Sequence, residues 1–264
     1  MKLFFISSLI LSVLFVQGIN CVVLHDIDVP ELVKIENDDD GEPIKLNCNY
    51  ELDEDPSYLV VKWFLNNNTI YQWIRGQPPS VLPSFKHHIG KIEATSTEKN
   101  HEYSGLTLIN PSIELSGTYK CSVQTYNGWK SMEKELHVVD ISNSSIVFEN
   151  QPVRNETYLE CTVTNIFPKP RIHLVSADEN IVMSSNETHI EKHNNDYYDA
   201  SMTAIAQNTD DDADAFYCFI TFDGINLNLT ANTVRSAVAR NSLALDHIWL
   251  IMVVAFSSKL LSLF

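Results

Sequence analysis

The stretch ELSGTYKC, Glu114 to Cys121, decides the fold when it is read with Cys48 and with Trp63 in the segment VVKWF, Val60 to Phe64. Tyr119 stands two residues before Cys121, a Ser116-Gly117 turn precedes it, and Trp63 follows Cys48 by 15 residues. These are the marks of a sandwich of two antiparallel sheets about 10 Å apart, with a disulfide and a tryptophan filling the gap between them. The fold is an immunoglobulin-like sandwich, and the spacing reflects core geometry. It carries no chemistry toward a substrate.

Working outward, the five cysteines are Cys21, Cys48, Cys121, Cys161 and Cys218. Cys48 to Cys121 spans 73 residues and Cys161 to Cys218 spans 57. The longer span fits a variable-type sandwich with two extra edge strands, and the shorter fits a constant-like one. The chain is therefore all-β, with two tandem sandwiches over residues 22–140 and 143–234, and a polar boundary at Asp140 to Ser145. Closing the longer loop constrains the unfolded chain by roughly 4 kcal/mol on the chain-entropy account.

Lys2 precedes an apolar run from Leu3 to Val16, and Val16-Gln17-Gly18 fits a signal-peptidase site, so residues 1–18 read as a signal peptide. An oxidising compartment follows, in which Cys48–Cys121 and Cys161–Cys218 pair. Cys21 is left as the odd thiol. Five Asn-x-Ser/Thr triplets, at Asn67, Asn143, Asn155, Asn186 and Asn228, then read as glycosylation sites.

At the far end, Ile248 to Phe264 is a largely apolar run with Lys259 as its only charge. At about 1.5 Å per residue it reaches roughly 25 Å, less than a hydrocarbon core of about 30 Å. Ser236-Ala237-Val238, a polar spacer and this tail match a glycosylphosphatidylinositol signal, with Ser236 as the anchor site and Asn241-Ser242 as a second candidate. Residues 235–264 are thus a membrane-anchor signal, with a short transmembrane segment as the other reading. The expected location is the extracellular face of the plasma membrane.

Along the first domain, VVLHDIDVPELVKI alternates and breaks at Pro30, as an edge strand switching sheets would. In YLVVKWFL, Leu59, Val61, Trp63 and Leu65 face inward, leaving Lys62 and Phe64 outward. With Ile70 and Ile74 inward, Tyr71 and Trp73 point out. Gln77 to Pro83 is a proline-rich edge loop. GKIEATS from Gly90 and YSGLTLINP from Tyr103 read as a hairpin, and a turn with Tyr126, Gly128 and Trp129 joins the last two strands. In the second domain no tryptophan sits near position 175, so Leu174 or Val175 fills that layer, and Phe216 takes the place of the corner tyrosine before Cys218.

The net charge of −16 argues on electrostatic grounds against nucleic acid as a partner. No phosphate loop, zinc-protease motif or nucleophile elbow is present, so the chain is not an enzyme and takes no cofactor or small-molecule substrate. His87-His88 read as solvated loop histidines without a metal, and Asp210 to Asp212 with Asp214 as an exposed corner turn. What remains is a binding surface: Phe64, Tyr71 and Trp73 on one sheet face, with Tyr126 and Trp129 in the nearby turn.

The first domain resembles the beaten path (Beat) family of insect neuronal immunoglobulin proteins. The likeness is carried by LHDIDVPE from Leu24, KLNCNYELDEDPSYLVVKWF from Lys45, IYQWIRGQPPSVLPSFKHHI from Ile70 and ELSGTYKCSV from Glu114. The resemblance implies a cell-surface adhesion protein of axon guidance that binds a Sidestep-like immunoglobulin receptor in trans through its first domain. The alternative is a secreted or shed immunoglobulin protein of innate immunity that binds microbial ligands.

Overall fold

The computed structural model describes residues 22–36, 41–53, 55–177, 182–207 and 216–232. The signal peptide, Cys21, Asp210 to Asp214, Ser236 and the C-terminal anchor segment all lie outside the described residues, so those expectations stay as sequence readings. Among the described residues no helix is long and apolar enough to cross a membrane.

Two sandwiches follow each other along the chain. In the first, β1 (Val22–Asp28), β3 (Ile44–Leu52) and β7 (Leu106–Leu108) form one sheet. The facing sheet has the order β2 (Leu32–Ile35), β9 (Trp129–Asp140), β8 (Gly117–Thr125), β4 (Leu59–Leu65), β5 (Asn68–Ile74) and β6 (Ser80–Val81). The break at Val29-Pro30 carries the chain from the first sheet to the second, where β2 runs parallel to β9. Strands β5 and β6 are the two edge additions that make this a variable-type sandwich. The second sandwich packs β10 (Ser145–Val153), β11 (Glu156–Ile166), β14 (Tyr198–Gln207) and β13 (Val182–Lys192) against β12 (Pro170–Ser176), β15 (Phe216–Phe222) and β16 (Ile225–Asn232). That four-plus-three division is the constant-type arrangement.

Both expected disulfides are formed, Cys48–Cys121 with its Cα atoms 6.2 Å apart and Cys161–Cys218 at 6.3 Å. Each ties one sheet to the other through strands whose alternate residues face inward. Leu59, Val61, Trp63 and Leu65 are all buried, as the alternation predicts. Tyr119 donates its hydroxyl to the Leu115 carbonyl at 3.0 Å, closing the corner that Ser116-Gly117 turns. Gly117 has φ +150, and a Cβ there would collide with the Asn66 amide, whose oxygen accepts from the Thr118 N–H at 3.0 Å. In the second sandwich Leu174 lies opposite Cys218 and packs on the core, while Val175 is exposed, so leucine replaces the tryptophan layer.

Three expectations are overturned. Tyr71 and Trp73 are core residues, 1% and 0% exposed, because Tyr71 pairs with Trp63 and Trp73 with Val61, and residues directly opposite in a ladder share a face. A bulge opposite the step from Trp63 to Phe64 leaves Ile70 as the extra residue, so Ile70 and Tyr71 are buried in succession and the alternation slips by one. The second correction concerns GKIEATS, which forms no strand. In place of the expected hairpin ladder there are the bridge of Ile89 to Leu108, a bond from the Gly90 N–H to the Thr107 carbonyl and one from the Gly105 N–H to Thr95 Oγ1. Its one large apolar residue, Ile92, is exposed, so the segment has no face to bury. Third, His88 is not a solvated loop residue: it ends a 3₁₀ turn over Pro83–His88 and is 2% exposed.

Inward aromatics secure the later part of the strandless run that extends from Gly90 to Gly105. Tyr71 donates to the Tyr103 carbonyl at 3.0 Å, Trp63 Nε1 donates to the Ser104 carbonyl at 2.9 Å, and the Tyr50 hydroxyl donates to the Asn100 carbonyl. The domain boundary is also more ordered than a polar linker. Asp140 is buried; its carboxylate accepts from Tyr197 Oη at 2.6 Å and from the Ser142 N–H and hydroxyl, and its backbone exchanges hydrogen bonds with Phe167.

Candidate recognition surface

The first sandwich presents its exposed aromatics at one end, where the loop before β4, the turn after β5 and the β8–β9 hairpin meet. In variable-type sandwiches the corresponding loops form one contiguous rim. Leu59 pairs with Thr125, so the residues just outside that pair, Tyr58 and Tyr126, are brought together. Their rings lie 4.8 Å apart, centroid to centroid. Trp129 opens β9 opposite Gln124, on the outer face of the sheet. Tyr126 is 77% and Trp129 66% exposed, the two most exposed large hydrophobic side chains among the described residues.

The hairpin carrying them is held by Thr125, whose N–H donates to the Gly128 carbonyl at 2.8 Å and whose hydroxyl oxygen accepts from the Asn127 N–H at 3.3 Å. The aromatic pair therefore sits on a closed turn of fixed register. A polar knot stands beside it. Asp55 accepts from Arg75 Nη1 at 2.5 Å and Lys99 Nζ at 2.8 Å, Asn100 donates to the same carboxylate at 3.2 Å, and Arg75 also donates to the Pro56 carbonyl. Hydrogen bonds from Lys99, then Asn100 and Arg75, hold the Asp55 carboxyl down at about 2. Three loops are thus cross-linked by one carboxylate, and the rim has both a charged and an aromatic part.

Of the five aromatic candidates read from the sequence, Tyr126 and Trp129 lie on this end. Phe64 is half-buried near the opposite end of β4, under the Lys120 ammonium 5.4 Å from its ring centroid. Tyr71 and Trp73 belong to the core, as described above. Sequence reasoning missed Tyr58 and Arg75. Tyr58 could have been found by extending the alternation of β4 one residue backward from inward Leu59.

Among the glycosylation candidates, Asn67, Asn143, Asn155 and Asn228 are exposed, and the side chain of Asn186 lies outside the described residues. Asn66 and Asn67 both have positive φ, 49 and 67, and make the tight β4–β5 turn. That turn is at the far end of β4 from Tyr58, on the order of 25–30 Å away at about 3.3 Å per residue. A glycan on Asn67 therefore leaves the aromatic end uncovered.

Among the described residues one group has metal-ligand character: His87, His88 and Glu114, whose ligand atoms lie within 4.8 Å of one another. The immunoglobulin-type sandwich that carries it lacks a catalytic architecture.

Comparison with known proteins agrees with the geometry. Residues 39–134 match the family described as immunoglobulin domain. No curated protein matches the sequence. The chain is similar in fold to the crystal structure of bovine butyrophilin, with a TM-score of 0.53 and 14% sequence identity, over 79% of this chain and 97% of that one.

Proposed function

We propose that this chain is a cell-surface recognition protein that binds another extracellular immunoglobulin-superfamily protein in trans through the end of its first sandwich. The observation that supports it most is the pairing of exposure with rigidity: Tyr126 and Trp129 stand in water on a hydrogen-bonded hairpin, with Tyr58 against Tyr126. Large aromatics held without conformational freedom lose little entropy on binding, and they dominate interface energetics where water is excluded around them. The Asp55, Arg75 and Lys99 group supplies a charged rim that can select among partners.

Two disulfides fit an oxidising, secretory compartment. The resemblance to the Beat family names a Sidestep-like receptor as the partner class, with membrane attachment through the C-terminal anchor. A screen of the intact ectodomain, displayed on cells, against a library of extracellular immunoglobulin proteins tests the reading. A hit whose binding disappears on Trp129→Ala is the expected outcome. Hits that are indifferent to Trp129, Tyr126 and Tyr58 would remove this end of the domain from consideration.

A further inference from the structure

We propose that His87, His88 and Glu114 form a binding site for a divalent zinc-type ion on the first sandwich. The inference starts from where the two ring nitrogens of His88 point. Its Nδ1 lies 2.9 Å from the Asn110 carbonyl oxygen, which can only accept, so Nδ1 carries the hydrogen. The other nitrogen, Nε2, lies 3.4 Å from Glu114 Oε2, an acceptor as well when ionised. Nε2 thus points from a ring that is 2% exposed toward an exposed carboxylate oxygen, with His87 beside it, so that one small cation could be held by all three side chains.

The distances suit a metal. Four-coordinate zinc with Zn–N of about 2.0–2.1 Å and Zn–O of about 2.0–2.2 Å has ligand atoms roughly 3.4 Å apart along each tetrahedral edge. The observed Nε2–Oε2 separation of 3.4 Å is long for a hydrogen bond and matches that edge. Metal-binding histidines commonly donate their second ring N–H to a backbone carbonyl, which sets tautomer and ring orientation, as Asn110 does here. His87 lies beside His88 with ring centroids 3.9 Å apart and planes tilted by 43°. His87 and Glu114 are both exposed, so their side chains are free to close the remaining distance.

The scaffold is built from both sides. Asn110, at φ +51, donates from its amide to the His87 carbonyl at 2.8 Å, and the Ile109 N–H donates to the His88 carbonyl at 2.9 Å. Glu114 sits in the first turn of a 3₁₀ segment whose cap, Ser112, accepts from its N–H at 3.3 Å. Two nitrogens and one carboxylate oxygen suit zinc over calcium or magnesium, and three protein ligands leave a fourth position open toward solvent.

The test uses the full chain, free of any affinity tag and stripped with chelator, titrated with Co2+ and then Zn2+. Tetrahedral Co2+ bands that saturate at one ion per chain and vanish on adding Zn2+ are the expected result. Glu114→Gln and His87→Gln, both at exposed positions, should each weaken binding about tenfold or more, while His173→Gln leaves it unchanged. Absence of saturable binding, or full binding in both variants, overturns the site. So does an NMR spectrum in which both His88 ring nitrogens carry protons and Zn2+ leaves them unmoved, since His88 would then be a simple imidazolium paired with Glu114.

Discussion

Tyr71 stands directly opposite Trp63 across the β4–β5 ladder, and both side chains point into the core. Each donates a hydrogen bond to the strandless segment, to Tyr103 and Ser104 respectively. Trp73, two residues on, packs edge-on against the Tyr103 ring with centroids 5.8 Å apart. The aromatics of β5 therefore anchor a loop that lacks a strand of its own.

Trp73→Ala is accordingly expected to destabilise the first domain by about 3–5 kcal/mol through the cavity it leaves. Trp73→Phe should cost less than half of that, since Trp73 Nε1 is buried without a hydrogen-bond partner and phenylalanine gives up only volume. Tyr71→Phe should cost about 1–2 kcal/mol for the lost bond to the Tyr103 carbonyl. Urea unfolding of the three variants checks the order.

At the exposed end the pattern reverses. Trp129→Ala and Tyr126→Ala should change unfolding free energy by no more than about 0.5 kcal/mol. Each should weaken partner binding tenfold or more, about 1.4 kcal/mol. Asn67→Gln should leave binding as it is, because that turn lies at the other end of the strands. Surface-plasmon titration of the identified partner beside thermal melts separates the two effects, and a large melting shift in Trp129→Ala would contradict its exposure.

Asp55 makes a pH prediction. Its folded value of about 2 lies below the ordinary 3.8, so the unfolded chain takes up this proton first as acid is added. The contribution of the loop knot is complete above the ordinary value and is lost as pH falls toward about 2. NMR titration of the Asp55 carboxyl should give a midpoint that moves up in Lys99→Ala, and that also moves up in high salt because the carboxylate is exposed.

The two corners differ by one hydroxyl. Tyr119→Phe removes the buried bond to the Leu115 carbonyl and should cost the first domain about 1–2 kcal/mol. The second domain carries Phe216 at the matching place, buried at 2%. Calorimetry of the variant should move only the transition of the first domain.

Much of the architecture was legible because it depends on local spacing. Inward Leu59, Val61, Trp63 and Leu65 follow from a period of two, and the sheet switch at Pro30 follows from a residue that cannot donate to a ladder. The candidate site was only half legible. Tyr126 and Trp129 were found because a turn exposes whatever it carries. Tyr71 and Trp73 were misplaced because the bulge at Ile70 shifts the alternation, and GKIEATS was given a strand whose face had nothing to bury.

Cysteine separation, corner tyrosine and strand periodicity by themselves determined two disulfide-linked sandwiches, one variable-type and one constant-like, since covalent reach and pleat admit few alternatives. Which aromatics are buried, which three loops Asp55 ties together, and that His88 faces two acceptors were decided only in three dimensions. Those features arise where separate strands meet, and the residue spacing within any one strand carries no record of its neighbour's register.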